Sequence, residues 1–300
     1  MTGAHPEAAD SAQRAAVQQR VLGWYAAHGR DLPWRRADAT PWGIYVSEIM
    51  AQQTPIARIV GPWAAWLDRW PTPTAQAGAS PADVIRAWGR LGYPRRAVNL
   101  LAASQIMVRD HGGEVPREPD LLLALPGVGD YTAAAVASFA YAVATPVVDT
   151  NVRRVLARIA GGQAQAGPGP TRAERELASV WMPADPADGN RWNTAAMELG
   201  ALVCTARTPD CGRCPVSDWC AWVGAGRPPY EGRPPRGQGY AGTDRQVRGM
   251  ILERARHTPD GIDPGALGAI APHARLERCL RALVADGLLI RSEDGYDLPR

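Results

Sequence analysis

The sequence predicts an all-α domain followed by a small α+β module, and three observations carry that expectation. Apolar residues recur at helical spacing through the first 223 residues, with few alternating β-branched runs. Prolines and glycines separate these segments at intervals suited to turns. Beyond a Pro/Gly-rich stretch, GAGRPPYEGRPPRGQGYAGT, the pattern changes to short helices and a hairpin signal. The implied organisation is a disordered N-terminus over 1–12, a helical domain over 13–223, a linker over 224–242 and a small module over 243–300.

In the first segment, AQRAAVQQRVLGWYAAHG, the residues Val17, Val21, Trp24 and Tyr25 fall on one helical face. Helix-like segments follow at Thr40–Thr54, Pro81–Trp88, Arg95–Asp110, Asp130–Ala142, Val152–Ala160, Thr171–Trp181 and Arg191–Val203. In the module, helices over Asp244–Arg256, Pro264–Ile270 and His273–Asp286 precede GLLIRSEDGYDLP, read as a hairpin turning at Asp294-Gly295. Three helices and a hairpin make a winged-helix pattern, in which Arg275, Arg278 and Arg281 share a face of the third helix that would meet phosphates. The module holds nine arginines and nine acidic residues, so packing or a protein partner competes with DNA contact as its role. Its lone cysteine, Cys279, is expected to be a small buried residue.

At 300 residues, 46% hydrophobic and 21% charged, the chain can bury a sizeable core. It contains no run of about 18 apolar residues, so no membrane span is expected. The start, MTGAHPEAADSAQ, lacks the basic and apolar blocks of a signal peptide, which implies a cytoplasmic protein. A net charge of +3 is too mild to imply nucleic acid by itself. All 33 basic residues are arginine, so no lysine amine is available to form a Schiff base.

Two motifs point to chemistry. LPGVGDYTAAAV, Leu125 to Val136, reads as two helices joined by a tight turn in which Gly127 and Gly129 flank Val128. Such a turn is either a plain glycine-capped αα-connection or a site where unpaired backbone amides meet a phosphate at a helix start. CTARTPDCGRCPVSDWC clusters Cys204, Cys211, Cys214 and Cys220. In a cytosolic chain such clusters are more often metal ligands than disulfides, and four thiolates suit either zinc or an iron–sulfur cluster.

The Cys-x6-Cys-x2-Cys-x5-Cys spacing resembles the [4Fe–4S] loop of the endonuclease III and MutY family of DNA glycosylases. The resemblance runs over about the first 220 residues. LPGVGDYTAAA is similar to the family's helix–hairpin–helix, VVDTNVRRVLAR carries the family aspartate as Asp149, and VSEIMAQQT resembles the MutY catalytic-glutamate helix, with Glu48 as its acid. LPWRR, GYPRRAVNL and NTAAMELGALVC match in order. The resemblance implies an adenine DNA glycosylase acting on double-stranded DNA with A:8-oxoguanine or A:G mispairs, in the cytoplasm with the nucleoid. It also implies that a monovalent cation assists at the hairpin.

Breaking an N-glycosidic bond needs a proton on the departing base and an anion beside an oxocarbenium-like sugar. Glu48, between the apolar Ile44, Val46 and Ile49, is suited to a raised pKa and to protonating the base. Asp149, at a helix start, is expected to stay an anion because the helix dipole favours its charge. By resemblance Asn151 orients Asp149; Tyr131, Trp34, Arg35, Gln52 and Glu198 line a pocket for the extruded adenine. Tyr93 wedges into the duplex, Gln53 lies near the base stack, and Arg95 and Arg96 lie near phosphates.

Some residues depart from the family pattern. Ala51 is smaller than usual after the methionine, Pro94 replaces the second aromatic of GYY, and the module is too short for the Nudix-like domain common in relatives. Tyr93 and Gln53 are therefore expected to carry any preference for 8-oxoguanine, with the module adding folding or general affinity. Two other readings remain: a mismatch glycosylase acting on another base, such as thymine opposite guanine, and a non-catalytic iron–sulfur DNA-binding regulator.

Overall fold

The computed structural model describes residues 11–232, 239–258, 261–293 and 295–300. The N-terminal expectation for 1–10, the linker residues 233–238 and the turn residue Asp294 lie outside the described residues. The first helix starts at Ser11, inside the stretch expected to lack structure. The described residues divide into two compact units, one drawn from 1–36 with 130–235 and the other from 37–129 with 236–300. This departs from the expected division at the linker. The helical domain is itself split, and the small module shares a core with one of its parts.

In the first unit, the Ser11–His28 and Thr150–Ile159 helices pack against the Pro186–Leu202 helix. Val17 and Val21 are fully buried there, and Trp24 and Tyr25 pack against the same core. That core joins Val155, Leu156, Trp192 and Leu199 to Trp222 beside the cysteine loop. Thr171 and Glu174 form a reciprocal capping box that starts the Arg172–Val180 helix. The Pro186–Leu202 helix begins five residues before its expected start, with proline at its first position, where no amide donor is missed.

In the second unit, proline likewise opens the Pro41–Ala51, Pro73–Ala77, Pro81–Trp88 and Pro119–Leu123 helices. The expected Thr40–Thr54 helix is shorter because Gln52 leaves helical geometry and Gln53 takes a positive φ of 54°. The Val60–Arg69 helix and the short Pro73–Ala77 and Pro119–Leu123 helices were not legible as apolar periodicity. Pro81–Trp88 and Arg95–Asp110 occupy the expected spans.

The module follows the expected order: Asp244–Arg256 helix, a short 3-10 turn at Pro264–Leu267, the His273–Ala285 helix, and antiparallel strands Ile290–Ser292 and Gly295–Asp297. Ile262 bridges to Tyr296 and extends this ribbon. The module does not stand alone. Ala82 and Ile85 of the Pro81–Trp88 helix share a core with Val247, Ile251, Leu276, Cys279 and Leu280. The Pro299 carbonyl accepts from the Ala82 amide at 2.8 Å, and Arg256 Nε donates to the Ile85 carbonyl at 3.1 Å. Each fully buried aliphatic side chain contributes about 1.5–3 kcal/mol to such a core. Cys279, 1% exposed, is the small buried residue expected.

Candidate functional site

Asp149 is the N-cap of the Thr150–Ile159 helix, and its Oδ1 accepts from the Val152 amide at 2.6 Å. Its Oδ2 accepts from Asn151 Nδ2 at 2.7 Å, so the two residues paired by resemblance do meet. Arg154 completes the arrangement by donating to Asn151 Oδ1 at 2.8 Å and to the Gly200 carbonyl at 2.7 Å. A side chain at 200 would collide with Asn151, whose Cβ lies 2.6 Å from the ideal Cβ position. Burial raises the Asp149 carboxyl above its ordinary value; the hydrogen bonds from Val152 and Asn151 and the Arg154 charge oppose the rise without cancelling it. Burial thus opposes the helix dipole that was expected to favour its anion. Removal from water is the larger effect.

Glu198 is fully buried in the same unit and accepts a forked contact from Arg30, with Arg35 Nη1 at 3.1 Å. Burial alone would raise its carboxyl, but the Arg30 hydrogen bonds and the Arg35 and Arg30 charges outweigh it and hold it below the usual range. Trp34, 7% exposed, adjoins Arg35 in the Pro33–Arg35 turn. Tyr131 is half-buried at the second position of the Asp130–Tyr141 helix. The sequence reading missed Arg30. Its signal was weak, a lone arginine before LPWRR.

Four cysteines fill the loop after the Pro186–Leu202 helix. Cys204, Cys211, Cys214 and Cys220 line one cavity together with Leu199, Val203 and Trp222. Among the described residues no three His, Cys, Asp or Glu side chains form a site for a single metal ion; the four thiols share this cavity instead. Burial, with further repulsion from the other cysteines, pushes the Cys214 thiol up to about 11. Thiolates gathered this way need a cationic centre to be stable. Arg158, 2% exposed, donates to Cys204 Sγ at 3.2 Å and to the Thr205 carbonyl at 2.8 Å, and its guanidinium lies 4.7 Å from the Trp222 ring. Arg154 and Arg158 are four residues apart on the Thr150–Ile159 helix, a spacing that faces both toward this loop.

In the second unit, Glu48 is 7% exposed on the Pro41–Ala51 helix. Gln52, expected in the base pocket, instead donates to the Gly127 carbonyl at 3.1 Å and braces the hairpin. Gly127 sits at φ 81°, and an added Cβ would meet Asn99 Nδ2 at 2.8 Å. The Val128 amide is already used, donating to the Leu125 carbonyl at 3.2 Å. Gly129 directly precedes the Asp130–Tyr141 helix.

Gln53 and Tyr93, both expected at the duplex, are, among the described residues, the non-glycine residues of this unit with positive φ, 54° and 45°. Such strain collects at functional sites. Arg96 corrects an expectation: it is 8% exposed and donates to the carbonyls of Ile49, Met50, Gln52 and Gly92 and to Thr54 Oγ1. It holds the Gln52–Gln53 turn and the Tyr93 loop instead of a phosphate. Arg95 stays exposed, 3.6 Å from Asp286. Arg275 and Arg278, expected at phosphates, both pair with Asp244.

Residues 46–183 match the HhH-GPD superfamily of base excision DNA repair proteins, and 204–220 match the iron–sulfur binding domain of endonuclease III. The chain is 49% identical to an adenine DNA glycosylase of Mycobacterium tuberculosis over 98% of this chain and 97% of that one. It is 40% identical to the human adenine DNA glycosylase over 70% of this chain and 40% of that one. A thymine-DNA glycosylase of Aeropyrum pernix is 32% identical over 71% of this chain and 96% of its own. Among solved structures, a thermostable thymine-DNA glycosylase matches with a TM-score of 0.65 and 26% identity, covering 71% of this chain and 98% of that one. An endonuclease III–DNA complex matches with a TM-score of 0.61 and 22% identity, covering 72% of this chain and 97% of that one.

Proposed function

Because this chain belongs to the HhH-GPD base excision repair proteins and, within them, to the adenine DNA glycosylase family, we propose that it removes adenine mispaired with 8-oxoguanine or guanine. The observation that carries the reading is a buried Glu48 in a chain matching adenine glycosylases over nearly its whole length. The enzyme is an iron–sulfur protein that acts on DNA. A [4Fe–4S] cluster would be held by Cys204, Cys211, Cys214 and Cys220 and would cross-link the loop, which Arg154 and Arg158 brace through Cys204. A monovalent cation assists at the Gly127–Gly129 turn. The protein works in the cytoplasm, with the nucleoid.

Glu48 donates the proton that makes adenine a leaving group. As the bond breaks, the electron pair goes to the base and positive charge grows on the sugar. Asp149, aimed by Asn151 and the Val152 amide, faces that charge. The low-dielectric surroundings that make its anion costly also strengthen its attraction for a cation beside it. Glu48, now ionised, activates the water that completes hydrolysis. Glu198, kept anionic by Arg30 and Arg35, offers with Trp34 and Tyr131 a polar and aromatic lining for the extruded base.

A thymine-directed reading has support from the Aeropyrum pernix relative, but at lower identity and over a shorter span. Single-turnover assays on duplexes with A:8-oxoguanine, A:G, A:C and T:G pairs decide between them. Adenine release is expected from the first two. Release of thymine alone would overturn the proposal.

A further inference from the structure

The small module has no net charge, yet its charges are not evenly spread. Its Asp244–Arg256 helix forms one wall of a cleft of about 1500 Å³, and the loop carrying Tyr93 forms another. Pockets for small molecules measure about 300–1000 Å³, so this open cleft suits a larger occupant. Eight arginines line it against three carboxylates, Asp244, Glu253 and Asp286. All three carboxylates are engaged: Asp244 by Arg275 and Arg278, Glu253 by Arg256, and Asp286 by Arg248 and Arg95. The cleft is left with a surplus of positive charge.

Arg245 and Arg254 are exposed and pair with no carboxylate among the described residues. The Arg245 guanidinium lies 4.3 Å from the Tyr93 ring centroid, and Tyr93 itself is 37% exposed with its backbone in the left-handed region. The module is thus built against the strained loop through the shared Ala82 and Ile85 core. A strongly basic cleft, too large for a metabolite and bordered by an exposed aromatic ring, has the chemistry of a groove for a phosphate backbone with a base beside it.

We propose that the C-terminal module is part of the DNA interface: its Asp244–Arg256 helix forms the second wall of a groove that holds the phosphates of the strand passing Tyr93, through Arg245 and Arg254. This rests on the reading of the chain as a DNA glycosylase, and it moves the contact from the His273–Ala285 helix, where the sequence placed it, to the helix that faces the cleft.

The test measures Kd of the full-length, cluster-loaded protein for a labelled duplex by anisotropy across a series of NaCl concentrations. Each phosphate contact removed lowers the slope of log Kd against log[NaCl] by about 0.9. Arg245→Ala and Arg254→Ala are each expected to show that drop, Arg254→Lys to restore it, and Arg281→Ala, on the exposed side of the other helix, to leave the slope unchanged. Thermal melts and iron content matching the parent show that the variants are folded. Parental slopes in both alanine variants overturn the inference, as does a drop in Arg281→Ala alone. Absence of salt-dependent duplex binding by the parent would instead overturn the DNA reading beneath it.

Discussion

Asn151 Nδ2 donates to Asp149 Oδ2 at 2.7 Å while Asn151 Oδ1 accepts from Arg154 at 2.8 Å. Only one orientation of the carboxamide satisfies both an anion on one side and a guanidinium on the other. Arg154 in turn donates to the Cys204 carbonyl at 2.8 Å, so the carboxylate and the cysteine loop are joined by a continuous set of charge-assisted hydrogen bonds. Asn151→Ala is expected to slow single-turnover excision by about tenfold to a hundredfold, the scale of a misaimed catalytic group. Unchanged rates would show that the Val152 amide alone suffices to orient Asp149.

Glu48→Gln preserves shape and removes the proton donor. Excision should fall at least about a hundredfold with duplex affinity retained. Near-parental turnover would assign the acid elsewhere.

Asp149→Asn should raise stability while abolishing excision. Burial holds the folded-state carboxyl above its unfolded value. The folded state therefore binds that proton more tightly, and ionisation costs stability once the pH passes the raised value. Asparagine keeps the N-cap and carries no charge, and the loss of the Asn151 hydrogen bond, donor now facing donor, sets the limit on the gain. Tm at pH 7 is expected to exceed that of the parent, with the gap closing as the pH falls through the carboxylate range. A lower Tm at pH 7 would show that the capping hydrogen bonds outweigh the burial.

Protein purified without oxygen should be brown and hold about four irons per chain. Cys211→Ser should lower that content, whereas Cys279→Ser should not, because Cys279 is buried in the module core. A colourless protein with stoichiometric zinc would contradict the cluster.

Borohydride trapping on abasic DNA should give little covalent adduct, because no lysine exists to form a Schiff base. Efficient trapping that persists after the N-terminal amine is blocked would refute a purely hydrolytic enzyme.

By itself the sequence determined what is local: the helices with clear periodicity and caps, the glycine turn whose Gly127 needs a positive φ, the four-cysteine loop, and Asp149 at a helix start next to Asn151. These depend on spacing along the chain, which a sequence displays. The tertiary structure decided what depends on partners far apart in the chain. Arg96 resembled a phosphate ligand, but in the fold its Nη1 and Nη2 are taken by five acceptors from 49 to 54 and 92. Arg30 gained meaning only through Glu198, 168 residues away. Charge on the module summed to zero in the sequence, but ion pairs across 31 and 34 residues neutralise Asp244 and leave Arg245 over Tyr93. An arginine's role is set by which acceptors reach it in space, because one flexible guanidinium can serve a carbonyl, a carboxylate, a ring or a phosphate with equal chemical ease.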